Sequence, residues 1–347
     1  MSKKILALAL LFMVGVLATS LPAVAQLPAH PVNHRILRLN STAHRNVSPV
    51  MTAVALHPSG GQIATAGDDH MVRVWSLQTG ELLSTLRGHR DWIRAIQFSP
   101  DGTVLATAGD DRQIRLWDLS TGKQLRVFKE HDAAIYDICF SADGSMLASV
   151  GFEAAVRVYL TATGEPLHKL EGPGVDLRDV AISPDGSQLA AAGRRGDIRL
   201  WDFASGEQRL DIHAHKRRIQ ALAYSPDGSR ILSAGDGRSL RVHSTTDGSL
   251  LLELEHRPCM IRCLTFCGPT LIAAGTTDNV IELWDLESGQ NVGKFEGHQG
   301  TIADVDFQEA TGLLVSGSFD TTVRLWNITG GLTGNTARNR TPGVQAR

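Results

Sequence analysis

The amino-acid sequence predicts an all-β chain made of seven copies of one unit, each unit four antiparallel strands. Three observations carry this expectation. Five of the six tryptophans, Trp75, Trp117, Trp201, Trp284 and Trp326, fall on a lattice of 42 residues whose empty points hold Tyr159 and His243; one step is 41. A period in the low forties marks a repeat array whose units bury their apolar surface only against one another. Within each period short apolar runs alternate with turn signals. The second unit is the cleanest: Ile93 to Phe98, Ser99-Pro100-Asp101-Gly102, Val104 to Ala108, Gly109-Asp110-Asp111, Ile114 to Trp117, Thr121-Gly122, then Leu125 to Phe128. Runs of this length, bounded by Pro, Gly and Asp, read as strands joined by tight turns. Pro second and Gly fourth suit such a turn sterically, and Ser-Pro-Asp-Gly recurs at 183–186 and 225–228.

The first 25 residues form a different polymer. Met1 to Lys4 is a short basic start, Ile5 to Leu17 an apolar core, and Ala23-Val24-Ala25 supplies the small residues that a signal peptidase reads. The expectation is a signal peptide over 1–25, cleaved before Gln26. The apolar run is near the lower limit for spanning a bilayer, so a retained anchor is the competing reading. The protein is then exported, of bacterial type, periplasmic or secreted, with no membrane span after cleavage. Residues 26–33 read as a linker. The segment 330–347, with scattered Gly, Thr, Asn and Arg and no apolar period, reads as a disordered tail.

Composition sets further limits. With 42% hydrophobic and 20% charged residues the chain suits a globular protein. Its net charge is −2, and −4 once Lys3 and Lys4 leave with the leader, which argues against a general nucleic-acid binder. Cys259, Cys263 and Cys267 recur every four residues, a spacing that suggests a metal site. The segment from Ile261 to Phe266 aligns with a strand in the other units, and there Cys263 and Cys267 stand about 13 Å apart. That is too far for a disulfide, so the thiols read as small residues filling strand gaps.

Gly88-His89, Ser99-Pro100-Asp101-Gly102 and Trp117-Asp118 at this spacing resemble the WD-repeat (WD40) family over about residues 34 to 329. The resemblance implies a seven-bladed β-propeller, with an N-terminal strand, Arg35 to Leu39, completing blade seven beside Val323 to Trp326. It also implies a hydrogen-bonded His, Ser/Thr, Asp and Trp inside each blade. Full sets are His89, Thr107, Asp111, Trp117 in blade two and His298, Ser316, Asp320, Trp326 in blade seven. Blade one offers Thr65, Asp69 and Trp75, with His44 a less certain first member. Blade three has His131, Ser149, Glu153 and Tyr159, and blade five His215, Ser233, Gly237 and His243. Blade six has His256, Ala274, Asp278 and Trp284, and blade four keeps only Trp201. Partly satisfied networks cost stability, which makes blades three to six the looser side. Repetition of these triad-like residues argues for structure, since an enzyme needs one site.

The resemblance further implies a non-catalytic scaffold, with no cofactor, that holds protein partners on the face bearing the loops before each first strand. Carried onto this chain, the positions facing a partner include Trp92, Arg94, Tyr136, Phe152, Arg178, Arg194, Arg218, Arg262 and Phe319. Aromatic and Arg side chains are enriched at binding hot spots, and clustered guanidiniums suit carboxylates or phosphates. The expected partner is a protein or peptide, acidic at the contact. Two alternatives stand beside it. One is an enzyme or metal carrier using Asp68, Asp110, Asp176 and Asp236 around the central channel, against which Arg94, Arg178 and Arg194 would repel a cation. The other is a purely structural ring contacted at its outer strands.

Overall fold

The computed structural model describes residues 48–128, 131–237, 239–255 and 259–328, together with the backbone of 34–38. Short strands and tight turns give seven antiparallel four-stranded sheets among these residues. Blade two shows the plan, running outward through Ile93–Phe98, Val104–Gly109, Ile114–Asp118 and Gln124–Phe128. The innermost strands, from Met51–Leu56 in blade one to Ile302–Gln308 in blade seven, pack each on the next. The seventh packs on the first, so the ring is closed. The turn residues act as their chemistry requires. The Ser99 hydroxyl donates to Asp101 at 2.6 Å, Asp101 accepts the Thr103 N–H, and Gly102 takes φ +73°, a left-handed value that a side chain resists.

Apolar surface is buried between blades. Ala64, Ala66, Val72 and Val74 of blade one meet Ile93, Ile96, Phe98, Leu105 and Trp117 of blade two. Small residues on one blade and large ones on the next let the sheets approach closely. The middle strands are covered on both faces, whereas outer strands are half solvated and expose residues such as Leu125 and Leu251.

Ring closure occurs with a shift of one residue. His34–Arg38 pairs antiparallel with Thr322–Trp326, His34 opposite Trp326 and Arg38 opposite Thr322. Leu39 lies outside the described residues, as do the leader, linker and tail predicted from sequence. The added strand lies outermost in blade seven and covers backbone groups that would otherwise form an open edge.

The two full buried chains are present. In blade two Trp117 Nε1 donates to Thr107 Oγ1 at 2.9 Å, His89 Nε2 lies 2.7 Å from that oxygen, and His89 Nδ1 lies 2.9 Å from Asp111. In blade seven each of the corresponding links joining Trp326, Ser316, His298 and Asp320 is 2.8 Å. Burial alone would raise the pKa of Asp320. Bonds from His298, Thr322 and the Gln299 N–H outweigh it and hold the carboxyl well below the usual range.

Blade three is more complete than its sequence suggests. Glu153, one methylene longer than Asp, still reaches His131 Nδ1 at 2.6 Å, and His131 Nε2 lies 2.8 Å from Ser149. Burial opposes ionisation of Glu153, but His131 and Arg157 bring its pKa to about 2. Tyr159 fills the tryptophan place, buried against Phe128. Elsewhere the chain is rerouted. Asp69 pairs with Arg73 at 2.6 Å, and Trp284 donates to Glu282 at 3.1 Å in place of the hydroxyl lost at Ala274. In blade five His215 keeps Ser233 at 2.9 Å, while His243 Nδ1 has no hydrogen-bond partner among the described residues. His44 and His256 lie outside the described residues.

Truncation that removes 34–38 is expected to lower the melting temperature by several degrees and to promote aggregation at micromolar concentration. Thermal unfolding followed by light scattering checks this; a parent-like melt without aggregation would overturn the closing role of the strand.

Candidate partner-binding face and central channel

One irregularity recurs in every blade. Register shifts after the first residue of each innermost strand, between Met51 and Ala53, Ile93 and Ala95, Ile135 and Asp137, Leu177 and Asp179, Ile219 and Ala221, Ile261 and Cys263, and Ile302 and Asp304. The skipped residue is a β-bulge, a device that bends the strand and re-aims one side chain. Glycine on the second strand makes room for it. A Cβ at Gly109 would stand 2.0 Å from the Trp92 carbonyl oxygen, and at Gly193 2.2 Å from that of Asp176.

The bulged residues are Thr52, Arg94, Tyr136, Arg178, Gln220, Arg262 and Ala303, and all line one cavity of about 370 Å³ at the ring's centre. Of the nine predicted contact residues, Arg94, Tyr136, Arg178, Arg262 and Phe319 meet there. Trp92 stands beside them on the exposed face, with the Arg94 guanidinium 4.7 Å from its ring centre. Arg218 is joined indirectly through Asp176. Arg194 and Phe152 are exposed, as positions on a partner-facing surface would be, and are not part of the cavity wall.

The guanidiniums are not equivalent. Arg94 makes a two-point contact with Asp110, Nε to Oδ1 at 3.0 Å and an amine to Oδ2 at 2.6 Å. Arg178 lies 3.9 Å over the Tyr136 ring and reaches Asp176 Oδ1 at 2.7 Å, off the hydrogen-bonding axis. Arg218 approaches the other oxygen of Asp176 at 3.1 Å. Asp176 is only 1% exposed and sits at φ +60°, so two cations hold a carboxylate in a backbone conformation that short polar residues tolerate. Arg262 differs. Among the described residues it has no hydrogen bond or ion pair; its Nε is buried without a partner, as are those of Arg178 and Arg218, but it has no carboxylate beside it as they do. Burial first, then the like charges of Arg178 and Arg94, push its pKa below the ordinary arginine value.

The four carboxylates considered as metal ligands face donors instead. Asp68 accepts the Val50 N–H at 2.9 Å, Asp236 accepts the Gln220 amide at 2.8 Å, and Asp110 and Asp176 hold arginines. Among the described residues no group of three or more His, Cys, Asp or Glu is placed to share an ion. None of the four cysteines is joined in a disulfide, and Cys259, Cys263 and Cys267 are buried.

Sequence reasoning missed a second layer. Asp137, Asp179, Asp304 and Asp306 point into the channel from the innermost strands. Each accepts a backbone N–H of the next blade: Val180 from Asp137 at 3.0 Å, Leu222 from Asp179 at 2.8 Å, Val54 from Asp304 at 2.9 Å and Leu56 from Asp306 at 2.7 Å. Burial raises their pKa, to about 7 for Asp304 and about 6 for Asp137 and Asp306; Asp179 is raised by burial and by Asp137. The available signal was a charged residue where other units carry Ala53, Ala95 or Ala221, for Asp137, Asp179 and Asp304, and where they carry Ala55, Ala181 or Ala223, for Asp306.

A raised folded-state pKa means that the native protein holds a proton which the unfolded chain, near 3.9, releases. The associated stability is complete below about pH 4 and is lost as pH rises through 7. Asp304→Asn retains an acceptor for the Val54 N–H but does not titrate. It is therefore expected to flatten the decline of melting temperature between pH 4 and 7. An unchanged slope would show that Asp304 is not the group responsible.

Comparison with known proteins agrees with this geometry. The family model described as WD domain, G-beta repeat matches residues 37–76, 80–118, 122–159, 164–202, 206–244 and 289–327. The unmatched stretch holds blade six, where Ala274 replaces the hydroxyl. The chain is 41% identical over 70 residues to a CCR4-associated factor 4 homolog from Vanderwaltozyma polyspora, covering 20% of this chain and 10% of that protein. It is 41% identical over 59 residues to a periodic tryptophan protein 2 homolog from Neurospora crassa, covering 17% and 7%. It is 39% identical over 61 residues to eukaryotic translation initiation factor 3 subunit I from Mycosarcoma maydis, covering 18% of each. Each match thus spans less than a fifth of the relative's own length.

Proposed function

This chain belongs to the WD domain, G-beta repeat family, and from that premise we propose that it is a non-catalytic scaffold of the cell envelope whose Arg- and aromatic-rich face binds an acidic protein or peptide. Propellers of this family generally hold proteins together rather than catalyse. A name such as translation initiation factor 3 subunit I describes that relative as part of a larger assembly. The single observation that carries the acidic specificity is the convergence of Arg94, Arg178 and Arg262, with Tyr136 and Phe319, on one cavity. Flat rings supply contact area at low entropy cost, and guanidiniums supply directed donors for carboxylate.

The test uses residues whose loss leaves nothing buried unpaired. Trp92 and Phe319 are both exposed, whereas truncating Arg178 or Arg218 would strip a cation from the buried Asp176. Trp92→Ala with Phe319→Ala is expected to weaken capture of envelope proteins at least about tenfold while the melt stays parent-like. Equal capture by parent and variant would move the partner site off this face.

Placement in the envelope rests on the leader-like composition of residues 1–25, and no helix among the described residues is long and apolar enough to cross a membrane. Expression in a bacterial host and mass measurement of the product checks it. A mature chain starting at Gln26 is expected; retention of Met1 in a cytosolic product would overturn export.

A further inference from the structure

We propose that the mouth of the channel is a seat for a single oxyanion, a carboxylate or phosphoryl group entering end-on, and that Arg262 is its anchor. The proposal deepens the acidic-partner reading, yet it rests on a separate observation: the charge balance among the bulged residues. Arg94 is neutralised in a two-point contact by Asp110. Arg178 and Arg218 share Asp176. The nearest acid of blade five, Asp236, is already engaged by the Gln220 amide. Arg262 alone enters the cavity without a carboxylate or a hydrogen-bond acceptor among the described residues. A guanidinium keeps its proton in proteins, so it cannot escape the cost of burial by neutralising itself. Arg262 is half-buried, and a partly desolvated cation without a partner is costly; an incoming anion offsets that cost.

The surroundings define what fits. Arg94, Arg178 and Arg262 lie on blades two, four and six, and face one space of about 370 Å³ with the Gln220 amide. That volume admits a small dianion or one acidic side chain, but not a folded segment. Arg94 and Arg178 are fixed by their acids and by the Trp92 and Tyr136 rings, so the site is ordered before a ligand arrives. One layer deeper, the carboxyls of Asp137, Asp179 and Asp304 already accept backbone N–H groups of the next blade and offer an anion no free donor, so the arginines at the level of the bulges are the groups that would hold it. The guest therefore binds by its charged tip.

The experiment measures thermal shift and calorimetric binding of inorganic phosphate and, separately, of a hexaglutamate peptide, at ionic strength fixed with chloride. Compared are the parent, Arg262→Gln, Arg262→Lys, and Arg209→Gln, which removes an exposed arginine on the outer strand of blade four. Either probe should stabilise the parent and the Arg209 variant by mass action. Arg262→Gln should bind at least about tenfold more weakly while melting no lower than the parent without ligand, and Arg262→Lys should fall between. Binding of phosphate identifies a free oxyanion as the guest; binding of the peptide alone identifies a carboxylate carried on a chain. Should Arg262→Gln fail to fold, the lysine variant carries the comparison. Equal binding by parent and Arg262 variants, or none by the parent, overturns the seat. The outcome is separable from that of the Trp92 and Phe319 variant, which leaves every arginine in place and reads capture of envelope proteins rather than binding of a small anion.

Discussion

The bulge at the head of each innermost strand is the constraint on which the rest of this molecule depends. Seven strands converging on an axis cannot all keep regular pairing to their ends, and in every blade the ladder skips the second residue. That skip turns a side chain toward the channel and presses a carbonyl onto the neighbouring strand. Glycine at 67, 109, 151, 193 and 235 is the local answer, because a Cβ at any of them would overlap that carbonyl. Blades six and seven carry Thr276 and Ser318 opposite the bulge, so the approach is not identical around the ring. Backbone geometry thus decides which seven residues line the cavity, and sequence decides only what they offer there.

Polar groups hold this backbone at two radii. Near the middle of blades two and seven a hydroxyl ties the lattice tryptophan to a histidine and an acid, and in blade three Glu153 completes the chain without the tryptophan. At the axis, carboxylates of blades three, four and seven accept N–H groups of the following blade. The Gln97 amide oxygen does the same for Phe140 at 2.7 Å. These axial bonds satisfy donors that the innermost strand, having no further neighbour, would leave to channel water. They also link one blade to the next, which the inner-blade chains do not.

Much of this was legible in the sequence, for physical reasons. A 42-residue period, Ser-Pro-Asp-Gly turns and the Trp-Asp spacing report steric and packing demands that act within one repeat, so strands, turns and the closing segment could be placed nearly to the residue. Glu153 was harder to place, because whether a longer acid reaches His131 depends on the path of the loop. The candidate site was legible as a set of positions but not as a set of contacts. Arg94, Tyr136, Arg178, Arg262 and Phe319 converge, while Arg194 and Phe152 stay outside the cavity wall. That division depends on side-chain direction and on acids contributed by other loops, neither of which a repeat alignment encodes. The axial aspartates went unread because each is an exception to its repeat, meaningful only once neighbouring blades are side by side.

Charge balance around the axis finally sets Arg262 apart from the arginines that hold the rim together. Removing the cation from Arg94 would free Asp110, and removing Arg178 or Arg218 would weaken the pairing of a buried carboxylate at a left-handed position. Those arginines are integral to the rim, and their exposure to a guest is a by-product of holding it together. Arg262 forms no ion pair among the described residues; the like charges of Arg178 and Arg94 oppose it, and of the carboxylates only Asp236, without direct contact, favours it. On the proposed reading, an arriving anion would offset the desolvation and like-charge repulsion that Arg262 bears. The same reasoning accounts for the acids below it. By accepting backbone N–H groups with raised pKa values, they keep the axis polar and ordered without supplying a free carboxylate at the level where Arg262 would otherwise find one.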